Sequence, residues 1–225
     1  MLLVALAVAP GIFWLWYFLQ RDRLRPEPRY LVRRVFFVGG GSAFIAGLLE
    51  AGMFAATGLS LEGRTAPPLA AAAAIGLIEE GVKFLAILVI VYRHREFNEV
   101  LDGIIYAVAA SLGFATVENL FYVLEGGLGV GLLRAFLAVP GHAFFGAVMG
   151  FYVGLAKFSG PRAILWLITG LGLAILAHGA YDALVFSQSA LAVAVVPLVI
   201  FLWRRAIHHT RRAQALDDQR MGGAS

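Results

Sequence analysis

Glu79 and Glu80 stand side by side in Leu77-Ile78-Glu79-Glu80-Gly81-Val82-Lys83-Phe84, near the middle of an apolar run covering residues 68–92. That run is long enough to cross a bilayer, which takes about 20 residues as a helix. Two carboxylates and a lysine at such depth cost several kcal/mol by insertion scales, so they are kept only where they face protein or water and serve a purpose. On a helix Lys83 follows Glu80 by three residues and Glu79 by four, so it can neutralise one carboxylate and leave the other for chemistry. The favoured acid-before-base order pairs Lys83 with Glu79 and makes Glu80 the more reactive residue.

Three further apolar runs carry ionisable groups. Phe114-Ala115-Thr116-Val117-Glu118-Asn119 supplies Glu118 and Asn119, Pro140-Gly141-His142 supplies an imidazole, and His178-Gly179-Ala180-Tyr181-Asp182 supplies His178 and Asp182. At 1.5 Å of rise per residue, Glu79, Glu118, His142 and His178 fall about 10 to 17 Å below one end of their runs. Groups from four helices thus share a level. His142, Gly146, Gly150 and Gly154 form one helical stripe, and Gly170, Ala174, His178 and Asp182 another. Small residues along a stripe allow close helix packing, which turns the histidines toward protein instead of lipid. Asp182 is placed to fix the tautomer of His178. Pro140 is expected to start or kink the helix just before His142.

Such a set suits hydrolysis, with a glutamate activating water and histidines binding a metal or stabilising an oxyanion. A metal would be zinc by donor preference, held by His142, His178 and Glu118. No His-Glu-x-x-His occurs, and spacing alone does not separate a metal site from a metal-free glutamate mechanism. Glutamates and histidines inside a membrane also relay protons, so a proton- or ion-coupled transporter or channel is the alternative. A transporter would more often repeat its halves, and no such symmetry is visible. Glu50 sits in an apolar run without a motif around it, and Asp102 at a helix start, where capping is the ordinary explanation.

The elements that must position these groups follow from composition. The chain has 225 residues, 60% of them apolar and only 14% charged, which makes it an all-α polytopic bundle. Seven spans are expected, over residues 2–19, 34–56, 68–92, 102–124, 131–156, 163–186 and 190–203. Arg21, Arg23, Arg25, Arg29 and Arg33 lie in the first connection, Arg93 and Arg95 in the third, Lys157 and Arg162 in the fifth. Arg64 is the main charge of the even connections, with Arg134 just inside the fifth span. The bias puts the N-terminus outside and the C-terminus in the cytoplasm. It also accounts for the formal charge of +4 without nucleic acid. Residues 1–203 read as one membrane domain, and 204–225 as a basic cytoplasmic tail against anionic headgroups, partly disordered. The first span lacks a basic leader and reads as a retained anchor. Cysteine is absent, so thiolate chemistry is excluded.

In this order the motifs resemble the PrsW family of intramembrane proteases, within the wider group that holds the CAAX prenyl endopeptidases. The double glutamate with lysine resembles Glu79, Glu80 and Lys83. Phe-x-x-x-Glu-Asn resembles Phe114, Glu118 and Asn119. Two later histidine elements resemble His142 and His178, and Asp22 with Glu27-Pro28 resembles the family's first loop. The resemblance covers nearly the whole chain. It implies a multi-pass bacterial plasma-membrane protein that cleaves a single-span membrane-anchored substrate, such as an anti-sigma factor in a stress response. It implies Glu79, Glu80, His142 and His178 as catalytic, with Lys83, Glu118, Asn119 and Asp182 in support. It leaves zinc and a metal-free mechanism both open.

Overall fold

The structure is a computed structural model, and it describes residues 1–22, 25–59, 68–187 and 189–222. Arg23 and Arg64 of the charge pattern lie outside the described residues. Among the described residues seven α-helices make up the bundle: α1 (Leu2–Leu19), α2 (Arg29–Thr57), α3 (Pro68–Ile90), α4 (Val100–Phe136), α5 (Ala138–Lys157), α6 (Ala163–Phe186) and α7 (Val195–Gly222). Among the described residues there is no strand. Among the described residues five stretches are long and apolar enough to cross a membrane, and one of them runs through α4 and α5 together.

The centre is α4, which packs on α1, α2 and α5, while α3 and α6 close the other side. Every residue from Val100 to Ala115 is buried, and so are nearly all of α5's. Small residues make that burial possible. The Gly stripe read on α5 faces α4 so closely that a Cβ on Gly150 would sit 2.3 Å from the carbonyl oxygen of Gly103, and one on Gly154 2.2 Å from that of Val100. The stripe of α6 is likewise inward, with Gly170, Ala174, His178 and Asp182 buried. Pro140 lies in the first turn of α5, where its missing N–H leaves nothing unpaired.

One boundary differs from expectation. The break expected between residues 124 and 131 is present: Gly127, at φ 70° and ψ −158°, is non-helical and divides α4 into two helical limbs, the second running to Phe136. A side chain there would cost about 1 to 3 kcal/mol, and glycine avoids that cost. The fifth helix therefore starts at Ala138 rather than at residue 131.

The stretch after Trp203 continues α7 without interruption to Gly222, so the expected boundary at residue 203 falls inside one helix. Ala206, Thr210, Ala213 and Asp217 are buried along one face of it. Asp217 accepts the backbone N–H groups of Val100 (2.7 Å) and Leu101 (3.0 Å), capping α4 from another helix. Arg25 joins Glu99 (2.8 Å) and Asp218 (3.1 Å) across the same junction. Asp102 is the third residue of a capping box whose N-cap is Glu99. Tyr106 donates to Glu27, and Asp22 accepts the Glu27 backbone N–H at 2.9 Å. This polar junction lies on α4 about 24 Å from Glu118 at helical rise.

Candidate active site

Glu79, Glu80 and Lys83 lie on one face of α3, with at most 5% exposure. A lysine so buried survives only with close anionic partners. Its ammonium donates to Glu79 Oε2 at 3.0 Å and to Glu80 Oε1 at 2.9 Å, with the Phe114 ring 4.0 Å from the nitrogen. The expectation of one paired and one free glutamate is therefore corrected. The i,i+3 and i,i+4 positions converge on a single Nζ, and both carboxylates share it.

His142 of α5 completes this centre. Its Nδ1 is 3.1 Å from Lys83 Nζ, and its Nε2 is 3.0 Å from Glu118 Oε2 of α4. An ammonium can only donate and a carboxylate can only accept, so the ring carries its proton on Nε2. His178 of α6 directs Nδ1 to Glu80 Oε1 at 2.9 Å, donating to the carboxylate. Its Nε2 lies 3.5 Å from Asp182 Oδ2 and 3.8 Å from Glu79 Oε2. Asp182 Oδ2 makes no hydrogen bond, so Glu80 rather than Asp182 orients the His178 ring. Phe145 stacks on that ring at 5.0 Å and 20°.

Glu118 stands one step outside. It meets His142 and, at 2.9 Å, Arg134. Arg134 also donates to Asn119 Oδ1 at 3.0 Å and lies over the Tyr122 ring. Asn119 gives its Nδ2 to the Ala7 carbonyl at 3.0 Å, so it ties α1 to this group and does not enter the centre. From the sequence alone Arg134 reads only as a topology charge. Its position inside an apolar run was the available signal.

The four residues brought together are Glu79, Glu80, His142 and His178. One ligand atom from each lies within 4.8 Å of the others. That set differs from the expected metal ligands, because Arg134 and His142 engage Glu118 and hold it aside. Two imidazoles and two carboxylates are a donor set suited to a divalent cation. Glu80 Oε2 is buried among them with no partner, and a cation is what would satisfy it. The residues present fit a metal, although Lys83 already answers the other oxygens.

Glu79, Glu118, His142, His178 and Asp182 open on a cavity of about 990 Å³ whose wall is otherwise mainly apolar, with Phe121, Phe145 and Val196 among its lining. Glu80 and Lys83 do not reach it.

Paired carboxylates and imidazoles inside an apolar helical bundle, open to an apolar cavity, define a membrane-embedded hydrolase. The chain belongs to the PrsW family: the family model described as PrsW family intramembrane metalloprotease matches residues 27–204. It is similar to "Protease PrsW" of Bacillus subtilis (strain 168), at 34% identity covering 96% of this chain and 97% of the relative. The protein of the same name from Geobacillus kaustophilus is 36% identical, covering 94% and 92%. That of Clostridioides difficile is 32% identical, covering 90% and 87%. No solved structure matches. The protein is a multi-pass cell-membrane protease, and this reading displaces the transporter alternative.

Proposed function

We propose that this protein hydrolyses a peptide bond of a single-span, membrane-anchored substrate, an anti-sigma factor in the manner the family resemblance implies, with Glu79 as general base. The observation that carries this reading is that Glu79 alone of the glutamate pair faces the cavity. It reverses the order of reactivity expected from helix spacing. Glu79 takes a proton from water as the oxygen bonds to the scissile carbonyl carbon. The same proton, returned to the amide nitrogen, lets the C–N bond break and the amine leave. Lys83 holds the Glu79 carboxylate in place, and Glu80 holds the His178 ring. His178 Nε2 is the ring nitrogen available to the developing oxyanion or to a cation, while His142, engaged by Lys83 and Glu118, holds the centre together.

The residues that would hold a metal are His142, His178 and Glu80, with zinc the ion their chemistry suits. When bound it would supply Lewis acidity toward water and carbonyl oxygen. The loop charges support an outside N-terminus, a cytoplasmic C-terminus and seven spans, with the site in the outer half of the membrane.

Co-expression of a panel of single-span reporters with wild type, Glu79→Gln and His178→Ala tests the reading. Cleavage by wild type that both variants lose supports it. Cleavage that survives Glu79→Gln removes Glu79 as the base. Chelation and zinc add-back on purified protein then decide the metal.

A further inference from the structure

We infer that Glu50 determines specificity by pairing with a basic side chain of the substrate, a lysine or arginine near the scissile bond; this rests on the proteolytic reading above. Glu50 belongs to α2, which contributes none of the catalytic groups. It nevertheless lines the same cavity as Glu79, Glu118, His142 and His178. Its Oε1 is buried and makes no hydrogen bond. The wall of that cavity is mainly apolar, with Phe44, Phe54 and Val193 among its lining.

Charge pairing gives the chemistry of the missing partner. Among the described residues, each other carboxylate lining the cavity has a cation or imidazole at hand. Glu79 has Lys83 at 3.0 Å, Glu118 has Arg134 at 2.9 Å, and Asp182 has His178 at 3.5 Å. Glu50 has no such partner among the described residues. Arg134, the cationic side chain in the cavity's described lining, is already held by Glu118 and Asn119. A carboxylate in apolar surroundings is retained where a cation meets it. The cavity is where a substrate enters, so the cation arrives on the substrate. A backbone amide could satisfy the orphan oxygen, but a cationic side chain is what favours the ionised carboxylate there.

Matched single-span reporters carrying lysine, glutamine or glutamate beside the scissile bond test this. Wild type is expected to cut the lysine reporter about tenfold faster than the glutamine one, and the glutamate one slowest. In Glu50→Gln the lysine-to-glutamine ratio falls toward one. In Glu50→Lys the order inverts, with the glutamate reporter preferred. Photo-crosslinking in a Glu79→Gln background reads capture without cleavage and should show the same ranking. Crosslinking indifferent to the flanking charge, or a lysine preference undiminished in Glu50→Gln, overturns the role of Glu50. If no reporter is cut while the lysine reporter is captured preferentially through Glu50, the role stands and the proteolytic reading falls.

Discussion

Arg134 and Glu118 are sixteen residues apart on α4 and yet lie 2.9 Å from each other. On a straight helix they would be about 24 Å apart. The left-handed turn at Gly127 folds the chain back and delivers the guanidinium to the carboxylate that holds His142. Arg134 is thus a positioning residue, acting on the site through Glu118.

Arg134→Met is expected to lower kcat about tenfold or more and leave Glu118 buried without its cation, a loss of about 3 kcal/mol or more in stability. Arg134→Lys should recover part of the stability and less of the rate, because lysine cannot reach Glu118 and Asn119 with one planar fork. Thermal melting in detergent beside reporter cleavage separates the two. Gly127→Ala should destabilise by about 1 to 3 kcal/mol through backbone strain.

Lys83 predicts opposite signs for two measurements. Lys83→Met leaves two buried carboxylates without their ammonium and should destabilise the apo protein by about 3 to 5 kcal/mol. The same change removes a competitor for the central position, so divalent metal should bind more tightly. Metal content after dialysis against limiting zinc reads this directly. A lower content in Lys83→Met would show that the ammonium helps to assemble the cation site.

The two glutamates should separate. Glu79→Gln is expected to fold with nearly native melting and lose about 10²-fold or more in turnover, the ordinary scale of general-base loss. Glu80→Gln should also lower the melting temperature, since Glu80 is fully buried between Lys83 and His178.

A pH dependence arises at the far end of α4. Burial pushes Asp22 up to about 7. Burial, then the hydrogen bond with Asp102, pushes Glu27 up to about 9, and burial pushes Glu99 up to about 7 against the pull of Arg25. Raised carboxyl values mean that the folded state holds more protons than the unfolded one, so stability falls as pH rises. The contribution is complete below the ordinary values near 4 and is lost as pH climbs through about 7 and then about 9. Melting in detergent from pH 5 to 9 should decline, and Glu27→Gln should flatten the upper part of the curve. A melting temperature that rises over this window would contradict the assignment.

Asp217→Ala should cost about 1 to 2 kcal/mol, the scale of a lost helix cap, because two α4 amides lose their acceptor. Truncation after Ala213 should do at least as much. Hydrogen exchange at Val100 and Leu101 is the local readout.

Much of the site was legible because its signals are local. Glu79, Glu80, His142 and His178 each stand out as charge or imidazole in an apolar run, and their stripes follow from helical spacing alone. The sharing of Lys83 by both glutamates was not legible, since it depends on rotamers. Nor was the return of Arg134, because a single φ at Gly127 sets it. The α7 extension hid behind Arg204, Arg205, Arg211 and Arg212, although Ala206, Thr210 and Ala213 recur at helical spacing beneath those charges.

The backbone contact between Gly150 and Gly103 has a mechanical consequence. Helices that touch through their main chains cannot slide without collision, so α4 and α5 act as a fixed frame. Gly39 and Gly113 weld the first half of α2 to that frame in the same way. Beyond them the approach is looser: a Cβ on Gly47 or Gly52 of α2 would meet no other element within 4 Å. The half of α2 that carries Glu50 is positioned by side-chain contacts instead, such as Phe44 against Phe121 at 6.0 Å between ring centres, so substitutions there reshape the cavity wall without moving the frame.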